Sequence, residues 1–290
     1  MRYGLPFLAL ALIPPARLSS QACAQPPWDT VATLLQTRAT TLEGACRFAW
    51  PRTDLTVRVG DVTVSPAVAL SAWAGFSGDP ADATMMGDLV LTSGELKPVL
   101  AELARQRIAV TAIHNHLVGE TPQITFVHFH AQGDALQLAT RLARALTLTG
   151  TPRPVAATPP QPVTIDTASV FRTLGLAGRA QGAVAQVSTV LVSGPVTMHG
   201  RPVTPALGYG SPINIQVIAP GRAVATGDFA VLGSKVAPVF DALAAHGITA
   251  TAVHSHLVDE QPTIYYMHFW ADGPLPDVLR GLRATLDAAH

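Results

Sequence analysis

His114 to Gly133 reads HNHLVGETPQITFVHFHAQG, and His254 to Gly273 reads HSHLVDEQPTIYYMHFWADG. The two stretches align without a gap at an offset of 140 residues, and 11 of the 20 positions are identical. Chance does not produce that agreement, so the chain carries an internal duplication. The register extends upstream: Gly87-Asp88 matches Gly227-Asp228, and Pro98-Val99 matches Pro238-Val239. Further back Ser65-Pro66 matches Thr204-Pro205, and Asp29-Thr30 matches Asp166-Thr167.

Between the copies, Gly150 to Pro162 (GTPRPVAATPPQP) holds five prolines and reads as an extended spacer. The expected organisation is a signal peptide over 1–24, a first repeat over 25–149, a proline-rich linker over 150–163 and a second repeat over 164–290. Each copy opens with a short helix, near Asp29–Leu35 and Asp166–Leu174. Runs rich in β-branched residues follow, at Leu55–Val64 and Val187–Val192. Leu96, Val99, Leu100 and Leu103 then mark an amphipathic helix. The histidine-bearing strands come next, and a last helix closes the copy, with Leu275, Val278, Leu279, Leu282 and Leu286 as its stripe in the second. This order predicts an α+β fold of two tandem domains, each an antiparallel sheet with two to three helices.

In a strand, alternate residues share a face, so His114 and His116 are expected side by side. A hairpin whose partner numbers sum to 242 sets His128 opposite His114, with a turn over Gly119–Gln123. A sum of 241 turns His128 to the other face. The expected sites are therefore His114, His116 and His128 in one copy and His254, His256 and His268 in the other. Glu120 and Glu260 sit on the turns as a fourth ligand or a general base. Imidazole with carboxylate suits a divalent transition metal: zinc first, with copper, iron or nickel as alternatives. The competing reading is a hydrogen-bonded polar cluster. Asp88 and Asp228, each after a glycine, read as turn or capping residues. His130 is Trp270 in the second copy and reads as outside the basic site.

Hydrophobic residues are 48% and charged residues 13% of the chain, with a formal net charge of +0. That supports a packed core and offers no global field for nucleic acid. The start resembles an export signal: Arg2, an apolar run over Pro6–Ile13, then Ala22-Cys23-Ala24 as the cleavage pattern. The expected location is periplasmic or secreted, with a mature start near Gln25. A lipid anchor on Cys23 is the alternative, and Ser20-Gln21-Ala22 departs from a lipobox. With Cys23 in the signal, Cys46 is expected to stand alone, without a disulfide. No run is long and apolar enough for a membrane helix.

Met86-Gly87-Asp88-Leu89-Val90-Leu91-Thr92, Ile113-His114-Asn115-His116-Leu117, Gly227-Asp228-Phe229, His254-Ser255-His256, Glu260-Gln261-Pro262 and His268-Phe269-Trp270-Ala271 resemble the LppY/LpqO-like family of secreted bacterial proteins. The resemblance spans nearly the whole mature chain. It implies export, and a lipid anchor in some members, but no catalytic residue. H-x-H-x3-E also resembles the first metal motif of cupins, although helices follow the hairpin here. Three functions remain open: a metal-dependent enzyme, a periplasmic carrier of metal or a small ligand, and an envelope-associated structural protein.

Overall fold

The computed structural model describes residues 22–157, 159 and 161–290. The apolar run at Pro6–Ile13 lies outside the described residues. The first repeat contains α1 (Trp28–Leu35), β1 (Ala39–Leu42), β2 (Ala45–Pro51), β3 (Arg58–Val59), β4 (Val62–Thr63), α2 (Pro66–Ala69), β5 (Ser71–Ser77) and β6 (Ala83–Thr92). It continues through α3 (Ser93–Arg105), β7 (Ala109–His114), β8 (Glu120–Thr121), β9 (Ile124–Gly133) and α4 (Ala135–Leu146). The second contains α5 (Thr167–Leu174), β10 (Gly178–Gln181), β11 (Val184–Thr189), β12 (Val196–Met198), β13 (Arg201–Val203), a π-helical turn (Pro205–Tyr209) and β14 (Ser211–Ala219). It closes with β15 (Arg222–Leu232), α6 (Gly233–Ala245), β16 (Thr249–His254), β17 (Glu260–Gln261), β18 (Ile264–Pro274) and α7 (Leu275–Ala289).

Each repeat builds a six-stranded antiparallel sheet, in the orders β1-β2-β5-β6-β9-β7 and β10-β11-β14-β15-β18-β16. The identical order is the duplication in three dimensions, and the class is α+β. The Leu55–Val64 run is a two-strand hairpin and not one strand, because the chain turns at Gly60, where φ is +58°. Local signals start the helices. Asp134 accepts a hydrogen bond from the Gln137 N–H at 2.9 Å, and Asp166 one from Ser169 at 3.0 Å. Glu95 accepts the Thr92 N–H at 2.8 Å, half of a capping box on α3.

Strand alternation then sorts the faces. One face of each sheet carries Phe48, Trp50, Met85, Leu89 and Phe129, or Phe229, Val231 and Phe269, against the helices. The opposite faces of the two sheets turn toward each other. They meet in a third apolar cluster that joins Ala45 and Met86 of the first repeat to Met198, Leu207, Tyr209 and Tyr266 of the second. The matched Ser/Thr-Pro segments are the reciprocal straps. The α2 segment lies on β14, where Asn214 donates to the Val68 carbonyl at 2.8 Å and Gln186 to the Ala67 carbonyl at 2.7 Å. The Pro205–Tyr209 turn lies on β5 and β6, with Leu207 over Gly75.

The cysteine expectation is corrected. Cys23 and Cys46 form a disulfide, with Cα atoms 5.5 Å apart. Reading Cys23 as part of a removed leader hid the pairing. The 22–24 turn packs against α1 and β1, which brings Cys23 beside β2.

Gly87 and Gly227 sit where the central strands approach closely. A Cβ on Gly87 would lie 2.3 Å from the Trp73 carbonyl oxygen, and one on Gly227 2.1 Å from that of Pro212. Backbone cannot yield as a side chain can. Gly87→Ala is expected to cost about 1–3 kcal/mol, read as a lower urea midpoint; an unchanged midpoint would contradict this packing.

Candidate metal centre

Asp88 on β6 and His128 on β9 are direct cross-strand partners, as are Asp228 on β15 and His268 on β18. Such pairs share a face. On the other side of β9, His128 faces Ala112 and His114 faces Phe126. The partner numbers therefore sum to 240, and the expected direct pairing of His114 with His128 is corrected by two residues. The parity is even, so both imidazoles lie on the same face. The expected five-residue turn fails because β8 leaves the hairpin to pair with β3, as β17 pairs with β12.

These residues occupy the inner faces of the two sheets. The six motif histidines consequently meet in one place between the repeats, and the expectation of two separate sites is corrected. The rings of His114 and His254 lie 4.0 Å apart, centroid to centroid. His116, just past the end of β7, reaches across: its ring is 3.8 Å from that of His268, and its Nδ1 lies 3.6 Å from Asp228 Oδ1. His256 mirrors it, stacked at 3.7 Å on His128. Leu117 and Leu257, buried beside them, anchor the two loops in apolar clusters. Phe126 and Tyr266 back the crossing rings at 4.1 and 3.7 Å.

Three overlapping groups have ligand atoms within 4.8 Å of one another: His114, His254, His256 and His268; Asp88, His114 and His128; and His116, Asp228 and His268. His268 Nδ1 is held at 2.5 Å by Asp228 Oδ1, which leaves Nε2 facing the centre. Such a carboxylate–histidine contact fixes a ligand ring's orientation. Both ring nitrogens of His114 and of His254, with His128 Nε2 and Asp88 Oδ1, are buried without a hydrogen-bond partner. Each such orphan costs about 1–3 kcal/mol.

Burial holds the histidines neutral. It pushes His254 down to about 4 and His268 to about 3, and it also drives down His114, His116, His128 and His256, with neighbouring imidazoles adding to the effect. Burial raises Asp88, helped by Asp228, and raises Asp228 against the pull of His116 and His254. Arg47, stacked 4.0 Å over the Trp73 ring, is lowered by burial to about 10 while both carboxylates pull it upward.

Glu120 and Glu260 are elsewhere. Each accepts a backbone N–H four residues on, from Ile124 at 3.1 Å and Ile264 at 2.9 Å. They tie down the loops that carry His116 and His256, and they join none of the three ligand groups. The carboxylates that reach the histidines are Asp88 and Asp228, in mid-strand and not in turns. Their signal was in the sequence: a Gly-Asp pair repeated at the 140-residue offset inside an apolar run. The ring of His130 lies 5.7 Å from that of His199, in the turn between β12 and β13 of the second repeat.

A family model described as Domain of Unknown Function (DUF1259) matches residues 29–148 and again 168–288. The chain belongs to that family. Its two DUF1259 copies are the two sheets described above, and the centre lies between them. Comparison with curated proteins finds no match. Among solved structures, the crystal structure of EtuB from Clostridium kluyveri is 12% identical, over 86% of this chain and 88% of that chain. Its TM-score is 0.21, at which the likeness carries no argument.

Two outcomes are expected. Glu120→Gln keeps an oxygen acceptor for the Ile124 N–H and is expected to leave the centre's properties intact, whereas loss of a metal ligand would weaken metal binding. Urea titration and metal binding of the variant measure this. For the metal-free protein, histidines lowered from about 6.5 in the unfolded chain make the unfolded state the better proton binder. Their contribution is complete above that value and is lost as pH falls toward the folded values of about 4 and 3. Asp88 and Asp228, raised, work in the opposite sense and offset part of the loss. Urea midpoints after chelation should therefore fall from pH 7.5 to 5.5; a rise would contradict the burial of neutral imidazoles.

Proposed function

We propose that this is an exported metal-binding protein whose two DUF1259 copies jointly hold divalent transition metal in a closed centre, and that holding the metal, not turning over a substrate, is its task. The observation that carries the reading is the edge-on pair of imidazoles, His114 and His254, whose four ring nitrogens are all buried and unpartnered. A bound metal supplies the partner those nitrogens lack. The lowered pKa values leave the rings in the neutral form that ligates metal, so little proton release opposes binding. Nitrogen and carboxylate donors without thiolate suit zinc, and also copper, nickel or iron.

Burial favours binding over catalysis. A catalytic metal keeps a position open to water or substrate. Here His114, His128, His256 and His268 are each 9% exposed or less, and only His116 and His254 are partly exposed. Glu120 and Glu260, the residues expected to act as base, are engaged with backbone.

Export rests on the LppY/LpqO-like resemblance, the apolar run at Pro6–Ile13 and the Cys23–Cys46 disulfide, a link that persists in oxidising compartments. A cut that preserves the disulfide falls before Cys23, earlier than Gln25, and leaves Cys23 unavailable for acylation. Among the described residues no helix is long and apolar enough to cross a membrane.

The test is elemental analysis of untagged protein purified from the periplasm, followed by melting with and without a chelator. Bound metal at a defined ratio is expected. A ligand at 100 times its Kd adds about 2.7 kcal/mol, so chelation should lower the Tm and added metal restore it. His114→Ala together with His254→Ala should abolish the metal-dependent shift. Protein that carries no metal, and binds none on titration, overturns the reading.

A further inference from the structure

We infer that the centre holds two metal ions, one at each end, with ligands drawn from both repeats. This rests on the metal reading above and goes beyond it in stoichiometry and in partition of the donors. Six imidazoles and two carboxylates converge between the sheets, and a four-coordinate ion such as zinc uses only half of them.

The Asp–His pairs divide along the repeat symmetry, while His116 lies near both aspartates, its Nδ1 3.6 Å from Asp228 and its Nε2 3.9 Å from Asp88. Asp88 with His128 forms one end and Asp228 with His268 the other, each a cross-strand pair fixed by its own sheet. At the second end His116 crosses from the first repeat, and His116, Asp228 and His268 have ligand atoms mutually within 4.8 Å. At the first end Asp88, His128 and His114 satisfy the same limit, and His256 crosses from the second repeat onto His128.

The middle of the centre links the ends. His256 Nε2 lies 3.4 Å from His268 Nε2, and His114 groups with His254, His256 and His268 as well as with Asp88 and His128. Both nitrogens of His114 and of His254 are free of protein partners. An imidazole with two free nitrogens between two ends can serve either ion. Two carboxylates, one at each end, offset the charge that two neighbouring divalent ions bring together. Two-metal sites with such close ligand sharing are an established arrangement.

The experiment titrates chelator-treated full-length protein with Zn2+ and reads the metal number by native mass spectrometry. Cu2+ loading is followed in parallel by electron paramagnetic resonance. Two zinc ions per chain are expected. At two equivalents of copper, the signal should be broadened or diminished by coupling relative to one equivalent. The variant Asp88→Asn with His128→Ala should retain one ion and an uncoupled copper signal. So should Asp228→Asn with His268→Ala, which guards against one variant failing to fold. One ion in the wild type, whatever the variants hold, overturns the two-ion inference and leaves the metal reading standing. No ion in any of them overturns both.

Discussion

The rule that alternate strand residues share a face governs this molecule. Through β6, β9 and β7 it aligns Asp88, His128 and His114 on one side of a sheet, and through β15, β18 and β16 it aligns Asp228, His268 and His254. The other side of each sheet is committed to helices by Phe129, Leu89 and Met85 or their counterparts. A sheet with one face closed by helices and the other by its own duplicate leaves the polar inner residues little contact with water: the His116 and Asp228 side chains are 13% exposed. The depressed histidines, the raised aspartates and the orphaned nitrogens all follow from that enclosure.

The inner faces are not held by the polar centre alone. Apolar packing around Met198, Leu207 and Tyr266 and the two Ser/Thr-Pro straps position the sheets around it. The straps account for a sequence match that otherwise has no role: Ser65-Pro66 and Thr204-Pro205 begin the segments that cross to the other repeat. The symmetry is incomplete. Trp270 replaces His130 and packs against the first repeat's core, so that the two ends of the interface differ in chemistry outside the shared centre.

Much of this was legible in the sequence because it depends on period and repetition. The 140-residue offset identifies the duplication, and an even register places His114 and His128 on one face, while His116 lies in the loop just past the end of β7. What was illegible depends on contacts between distant segments. The register differs by two because β8 pairs with β3. Nothing in either copy tells that its inner face meets the other copy, so one centre was read as two. Glu120 and Glu260 were read as functional because they are shared and acidic, yet each binds backbone four residues away. Asp88 and Asp228 were passed over because Gly-Asp is a common turn signal. Here the glycine instead permits close approach of β5 to β6, and of β14 to β15.

The central claim is that residues of both repeats ligate the same metal centre. Anomalous diffraction at the absorption edge of the bound metal, on crystals of the metal-loaded protein, tests it most directly. The account predicts peaks only between the two sheets, with nitrogen ligands at about 2.0–2.1 Å if zinc is bound, drawn from both the His114–His128 and the His254–His268 motifs. Peaks ligated by one repeat alone, or placed away from Asp88 and Asp228, would contradict it.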